Sequence, residues 1–264
     1  MTCALCVDGP CAAEADEIRV LTFAIDGYPA GNRPRQEEGA FEAMRRSEAA
    51  LVAVQGIRDV PRFERAAKRH LGPNVRFVAD EGTDRRHVGV LYHSELFALE
   101  GAKEHRIGNR VPLLEVRLAQ RGRSTRVRLF VFLGFFQWLS DTTKAEMARV
   151  LRDAPRSDET VLLLGQFHLS RDPEDHLDAL AEASDLEWLS RDLRCTGFLC
   201  SNYDCVASFG AHVLGNRPAE VEAGAHCAST RCERCVPWTD SCPPPFVREV
   251  SSSCPLLVTI PREE

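Results

Sequence analysis

The stretch Val161-Leu162-Leu163-Leu164-Gly165-Gln166-Phe167-His168 lies in the second half of a chain of 264 residues. Its first four residues are all apolar and do not alternate with polar ones. A continuous apolar run of this kind is typical of a strand that is covered on both faces. We therefore expect a buried strand here.

Apolar runs of the same kind recur at wide spacing, and segments with helical character lie between them. The helical segments are bounded by residues that typically start or stop a helix. Pro61–Leu71, for example, begins with a proline and is followed by Gly72. Alternation of strands and helices from end to end indicates an α/β protein. The predicted strands are Ile18–Ile25, Leu51–Gln55, Val75–Ala79, Val88–His93, Leu113–Leu118, Val127–Phe136, Thr160–Leu164, Cys205–Phe209 and Leu256–Ile260, and the predicted helices are Glu37–Ala50, Pro61–Leu71, Thr142–Leu151 and Pro173–Ala183.

The composition is that of a globular protein, with 44% hydrophobic and 27% charged residues. It excludes collagen-like and disordered classes, and no apolar run reaches the roughly 20 residues that a membrane helix needs. The net charge of −6 gives no general attraction to nucleic acid. The first residues lack a basic and apolar leader, so we expect no signal peptide and a cytoplasmic or other reducing compartment.

Five short segments resemble, in order, motifs of the endonuclease/exonuclease/phosphatase superfamily, which includes pancreatic-type deoxyribonucleases, abasic-site endonucleases and inositol phosphatases. Each segment alone is weak evidence, but the ordered set spans about residues 18 to 260. Val88–Tyr92 and Phe130–Leu133 resemble two further strands of the family. The five segments are Ile18–Ile25 (family T-[FWY]-N-[IV]), Leu51–Asp59 (aLQEVRD), Val161–His168 (vlLGDFN), Ser201–Val206 (YDhi) and Ser251–Leu256 (SDHxPL).

The resemblance implies a fold of two packed β-sheets flanked by helices, a four-layer α/β sandwich. It implies one domain over residues 18–264, preceded by a cysteine-containing tail at 1–17 and carrying a cysteine-rich insertion at about 215–245. In the family, carboxylates hold Mg²⁺, and a histidine backed by an aspartate acts on the phosphate and on water.

Almost all of those catalytic positions have lost their functional groups in this chain, whereas framework residues beside them, such as Gln55, Asp59 and Gly165, are kept. Mg²⁺ prefers carboxylate oxygens, so we do not expect it to bind, and the resemblance implies a pseudoenzyme. The emptied positions are Ala24, Gly56, Gly134, Gln166, His168, Ser252 and Ser253, and the retained one is Asp204.

Two functions from different classes follow. In the first, the chain is a catalytically inactive binding or structural subunit of a larger assembly with a protein partner. Phe135, Phe136 and Trp138 would then lie near the mouth of the site as an apolar contact, although we expect at least two of the three to pack under a helix. In the second, the chain is a metal-dependent phosphoesterase or nuclease with a rebuilt site, for which His168, His226 and Asp204 are the hypothetical ligands, with Zn²⁺ in place of Mg²⁺. A nucleic-acid or phosphoester ligand is not supported by the charge.

The chain has 11 cysteines, and this odd number argues for reduced thiols or a metal site rather than a complete disulfide framework. Cys227, Cys232, Cys235 and Cys242 have spacings that suit a structural Zn²⁺; free thiols or an iron–sulfur cluster are the alternatives. A second set, Cys3, Cys6 and Cys11, lies in the tail. Disulfides among the loops are the expectation for an oxidising compartment, and Cys205 and Cys254 are expected to be small core residues.

Overall fold

The computed structural model describes residues 17–31, 33, 35–82, 86–108, 111–154, 159–169, 173–193, 195–200, 205–224, 227 and 245–261. Strands and helices alternate through this part of the chain. The strands are β1 Glu17–Tyr28, β2 Leu51–Ile57, β3 Val75–Ala79, β4 His87–His93, β5 Phe97–Ile107, β6 Val111–Gln120, β7 Arg126–Leu133, β8 Glu159–Leu169, β9 Glu187–Trp188, β10 Gly197–Cys200, β11 Cys205–Gly215, β12 Glu220–Ala223 and β13 Leu256–Pro261. The helices are α1 Gln36–Arg46, α2 Val60–Leu71, α3 Asp141–Arg152, α4 Pro173–Ser184 and α5 Pro245–Glu249, and a 3-10 turn lies at Phe136–Trp138.

The strands form two sheets. In the first sheet the order is β12-β13-β1-β2-β4-β3, and in the second it is β10-β11-β8-β7-β6-β5, with β9 paired to β11. In each sheet one central pair is parallel, β1 with β2 and β7 with β8, and the other pairs are antiparallel. The carboxyl ends of the two strands in each parallel pair therefore lie side by side.

Three apolar clusters hold the layers together. The first lies between the two sheets and includes Val20 and Leu164. The second lies between the first sheet and helices α1 and α2, around Phe63, and the third lies between the second sheet and helices α3 and α4, around Phe132. The order helix, sheet, sheet, helix is the predicted four-layer α/β sandwich, so the predicted fold class is confirmed.

Two helices begin at side chains that the sequence singles out. The Asp59 carboxylate accepts a hydrogen bond from the backbone N–H of Arg62, at 2.9 Å, and the Ser140 hydroxyl accepts one from Thr143, at 3.2 Å. Both bonds satisfy an N–H that the first turn of a helix leaves without a backbone partner. Asp59, a framework residue of the second motif, thus fixes the start of α2 directly after β2.

Several boundaries differ from the sequence predictions. Helix α1 ends at Arg46 rather than Ala50, and the strand expected to reach Phe136 ends at Leu133. Strand β5 was not predicted, and the segment expected to be an inserted loop contains strand β12, which pairs with β13. None of the helices in the described ranges is long and apolar enough to cross a membrane.

Candidate functional site

The carboxyl end of β1 points a row of side chains toward the second sheet. Successive side chains of a strand point to opposite faces. Since Val20 belongs to the core between the sheets, Thr22, Ala24 and Asp26 follow it on the same face. Asp26 is a carboxylate that the motifs did not indicate, because it lies one residue beyond the first motif, Ile18–Ile25. The signal that could have found it is this two-residue alternation.

The carboxyl end of β8 contributes a second row, which lies on the facing sheet at the same end of the sandwich. The region between the two rows is here called the cleft. Leu162 and Leu164 belong to the core between the sheets, so Gln166 and His168 continue their face. Gly165 allows this arrangement, since a Cβ at that position would lie 2.0 Å from the backbone oxygen of Phe132 in β7. The glycine of the third motif therefore permits the close approach of β7 and β8.

Backbone and hydroxyl contacts connect the emptied positions. The Ser251 hydroxyl donates a hydrogen bond to the backbone oxygen of Ala24 at 2.6 Å. The backbone N–H of Gly134 donates to the backbone oxygen of Gln166 at 3.0 Å. Ser253 bridges to Gly197 at the start of β10. The structure thus brings the predicted site positions together in two groups, one on each sheet, at the same end of the sandwich.

Asp26 is a carboxylate of this cleft, and one of its two oxygens, Oδ2, is already engaged. Its Oδ2 lies 3.1 Å from a guanidinium nitrogen of Arg33. The same oxygen accepts hydrogen bonds from the backbone N–H and from the hydroxyl of Ser252, both at 2.7 Å. Ser252 occupies the position where the family motif has its aspartate, so this chain places its acid on β1 and a hydroxyl donor on the loop.

Gly56 has a backbone conformation that most side chains avoid. Its φ is +85°, in the left-handed region. A Cβ at this position would lie 3.3 Å from both the backbone nitrogen of Gly27 and the backbone oxygen of Ile25. The pairing of β2 with β4 also shifts register here, between Gln55 and Ile57. The position where the family has its metal-binding glutamate is therefore a glycine bulge.

His168 lies between an aromatic ring and charged groups. Its φ is +48°, a conformation in which histidine is one of the enriched residues. Its ring stacks on Phe135 with centroids 4.6 Å apart. Burial lowers the pKa of the imidazole below its usual value, Asp26 opposes this shift and Arg86 reinforces it. The ring is therefore mainly neutral at pH 7.

Two buried glutamines, Gln55 and Gln166, are the next polar side chains of the cleft, and they differ in their hydrogen bonds. Gln55 is buried and donates a hydrogen bond to the Thr22 hydroxyl at 3.1 Å, which explains why this framework pair is kept. Gln166 is also buried, and its Nε2 lies 3.5 Å from Nδ1 of His168. Its Oε1 is buried and has no hydrogen-bond partner among the described residues.

The aromatic residues after β7 divide into two kinds. Phe136 is buried and packs against Phe132 and Phe167. Phe135 and Trp138 are 44% and 71% exposed, and their rings stack with centroids 4.5 Å apart. One of the three therefore packs under helix α3, where the sequence predicted at least two, and the other two form an exposed edge of the cleft.

The donor set of the cleft does not fit Mg²⁺. This ion prefers several oxygen ligands, usually carboxylates, in octahedral geometry. Within the described ranges, no three His, Cys, Asp or Glu side chains are placed to hold one metal ion. Of the three hypothetical ligands of a rebuilt site, His168 lies in the cleft. The other two, His226 and Asp204, lie outside the described residues.

The cysteines show an arrangement that differs from the expected reduced thiols. Cys227 and Cys254 form a disulfide with Cα atoms 5.7 Å apart. Cys195 is part of a disulfide as well, and so is Cys200. Cys254 is buried, as expected of a core residue, but as half of a disulfide. In this state Cys227 has no thiolate for the expected Zn²⁺. The other three expected ligands, Cys232, Cys235 and Cys242, lie outside the described residues.

Comparison with known proteins places this geometry in a fold class. No protein-family model matches the sequence, and no curated protein matches it. Solved structures match over almost the whole chain. An endonuclease/exonuclease/phosphatase family protein from Bacteroides thetaiotaomicron has a TM-score of 0.68 at 10% identity, over 94% of this chain and 98% of that one.

Two eukaryotic structures are similarly close. The human Nocturnin catalytic domain with a bound sulfate anion has a TM-score of 0.65 at 9% identity, over 92% of this chain and 94% of that one. TDP2 from D. rerio, complexed with a single-strand DNA product, has a TM-score of 0.65 at 11% identity, over 93% and 99%. The chain therefore has the endonuclease/exonuclease/phosphatase fold, as the five motifs predicted.

Proposed function

We propose that this chain is a catalytically inactive protein with the endonuclease/exonuclease/phosphatase fold and that it acts as a binding or structural subunit of a larger assembly. The observation that carries the proposal is the state of the carboxylate in the cleft. Asp26 is held by Arg33 and by two donors of Ser252. A metal ion bound through Oδ2 of Asp26 would have to displace these contacts, and Gly56 supplies no second acid.

The neutral imidazole of His168 does not restore the lost chemistry. A base that activates water needs a partner that orients it and a place for the phosphate and the metal. Its ring instead stacks on Phe135, and its Nδ1 faces the amide of Gln166. Losing one acid–base group costs roughly 10²–10⁴-fold in rate, so the loss of several groups at once should leave no measurable phosphoester hydrolysis.

A hydrolysis assay tests this part of the proposal. The purified chain is incubated with bis(4-nitrophenyl) phosphate, and separately with an oligonucleotide, in Mg²⁺ and in Mn²⁺. We expect wild type and His168→Ala to show the same background rate. A metal-dependent rate that chelator abolishes and that His168→Ala lowers at least tenfold would contradict the proposal and favour the rebuilt-site phosphoesterase.

Native mass spectrometry of the protein isolated from its own source tests the subunit role. The proposal expects the chain within a complex that contains at least one other polypeptide in fixed stoichiometry. A lone monomer at concentrations that preserve complexes would contradict it.

The same spectra test the structural Zn²⁺, which stays a proposal for the cysteine-rich insertion. Four cysteine ligands require Cys227 to be reduced, so zinc should be found only in protein from which the Cys227–Cys254 disulfide is absent. Zinc bound at full stoichiometry while this disulfide is intact would rule out the four-cysteine site.

A further inference from the structure

An exposed stack of rings borders the cleft. Trp138 stacks on Phe135, and Phe135 stacks on His168, with centroid distances of 4.5 and 4.6 Å. Trp138 is the most exposed of the large apolar side chains in the described part of the chain, at 71%. Exposed aromatic side chains that are held rigid are typical of binding hot spots, because little side-chain entropy is lost when a partner covers them.

The charge next to these rings is positive, in contrast to the net charge of −6 for the whole chain. Arg86 directly precedes β4, whose first residue His87 pairs with Ile57 next to the Gly56 bulge, so it lies at the same end of the sandwich as the site positions. Arg58 lies against Gly27, where a Cβ would be 2.7 Å from its Nε. Arg86 and Arg58 are exposed, and neither forms an ion pair within the described residues. Asp26, an acid of the cleft, is already paired with Arg33.

A second apolar pair lies on the hairpin of β10 and β11. Leu199 and Val206 face each other across this hairpin and are 52% and 42% exposed. The same hairpin is joined to the cleft through Gly197, which bridges to Ser253. Leu199 and Val206 are aliphatic, so they provide a contact for apolar side chains but no ring for a base to stack on.

We propose that the surface formed by Trp138, Phe135, His168 and Arg86, here named the aromatic–arginine rim, docks an extended segment of a protein partner that carries acidic and apolar side chains. The apolar side chains of the segment would cover the rings, and its carboxylates would pair with Arg86 and Arg58. Charge complementarity selects an acidic segment over a basic one. The aliphatic pair favours a peptide over single-stranded nucleic acid, whose bases stack on aromatic rings along a positively charged groove.

Selection from a random peptide library displayed on phage tests this proposal with the full chain as bait. We expect selected peptides to be enriched in Asp or Glu together with Leu, Phe or Trp. A synthetic peptide of the selected sequence should bind Trp138→Ala roughly tenfold or more weakly than wild type, because a central aromatic contact contributes on this scale. It should bind Arg86→Ala more weakly too, with a smaller dependence on salt.

Leu99→Ala is the matched control. Leu99 is also an exposed apolar residue, at 40%, but it lies on β5 at the far edge of the second sheet, so this substitution should leave binding unchanged. No enriched sequence, a basic consensus, or binding that survives Trp138→Ala would overturn the proposal. Tighter binding of oligothymidylate than of the selected peptide, lost in Trp138→Ala, would overturn it in favour of a nucleic-acid ligand.

This inference rests on the proposed binding role, and the two fail in distinguishable ways. If the chain hydrolyses phosphodiesters but still selects acidic peptides through Trp138, the inactive assignment fails and the docking surface stands. If the chain is inert and selects no peptide, the docking surface fails and the loss of catalysis stands.

Discussion

Substitution of Gly56 tests the claim that this position cannot carry a glutamate. Gly56 has a φ of +85°, and a residue with a Cβ pays roughly 1–2 kcal/mol in the left-handed region. The Cβ would also lie 3.3 Å from two backbone atoms of the neighbouring strand, which must shift slightly. We therefore expect Gly56→Ala to lower the free energy of unfolding by about 2 kcal/mol or more.

Two other glycines separate the contributions to this loss. Gly122 has a φ of +73° with open space where a Cβ would stand, so Gly122→Ala should lose only the conformational part, about 1 kcal/mol. Gly31 also has open space and no positive φ, so Gly31→Ala should lose nothing. Urea unfolding followed by circular dichroism gives all three values. Equal stability of Gly56→Ala and Gly31→Ala would refute the account, because position 56 would then accept a glutamate without strain.

Three further predictions concern groups away from the cleft. His212 is fully buried, and burial lowers its pKa to about 4, well below the value of about 6.5 in the unfolded chain. The contribution of His212 to the free energy of unfolding is therefore complete above pH 6.5 and falls by about 3 kcal/mol as the pH decreases to 4. Urea midpoints measured against pH should show a smaller slope in His212→Leu than in wild type, and an equal slope would contradict the buried neutral state of His212. Replacing Cys227 and Cys254 by serine should lower the free energy of unfolding by about 3–4 kcal/mol, given the 27-residue separation, and full stability of the double variant, or free thiols at both positions in the native protein, would contradict the disulfide. Asp59→Ala should lower it by about 1 kcal/mol through loss of the α2 cap, whereas Asp59→Asn, which can still accept the hydrogen bond, should lose much less.

The sequence was sufficient to predict most of the fold. The buried strands read as apolar runs because both of their faces are covered, as in β2 and β8, where almost every residue is buried. Strand β5 was missed because it lies at a sheet edge, where most of its side chains are partly or fully exposed and the apolar signal is weak. The irregular composition after Gly215 likewise hid strand β12, another edge strand of four residues.

The motifs indicated which strand ends form the candidate site, but not the contacts and backbone conformations found there. Gln166, His168 and Ser252, which the motifs singled out, lie at one end of the sandwich, since strand order determines which carboxyl ends meet. The role of Asp26 could not be read from the motifs, because its contact with Ser252 joins residues 226 positions apart. The left-handed bulge at Gly56 likewise depends on backbone conformation. Glycine permits a positive φ but also occurs at negative φ, so its presence in the sequence does not predict the bulge.

The cysteines show the same limit of sequence reasoning. Spacing suggested that Cys227 pairs with its sequence neighbours around a metal ion. Its actual partner, Cys254, is brought within reach by the fold, where the backbone N–H of Gly224 donates to the backbone oxygen of Pro255 at 2.7 Å. The spacing of cysteines in the sequence indicates which of them share a local turn, whereas a disulfide depends on which distant segments the fold brings together.

The central claim is that the cleft has lost the metal chemistry of its fold, and Mn²⁺ binding measured by electron paramagnetic resonance tests it most directly. Mn²⁺ prefers the same oxygen ligands as Mg²⁺, and the signal of the free ion reports how much remains unbound. With Asp26 held by Arg33 and Ser252, we expect any dissociation constant to be weaker than about 1 mM, and the same in wild type and Asp26→Asn. A single tight site that Asp26→Asn abolishes would contradict the account.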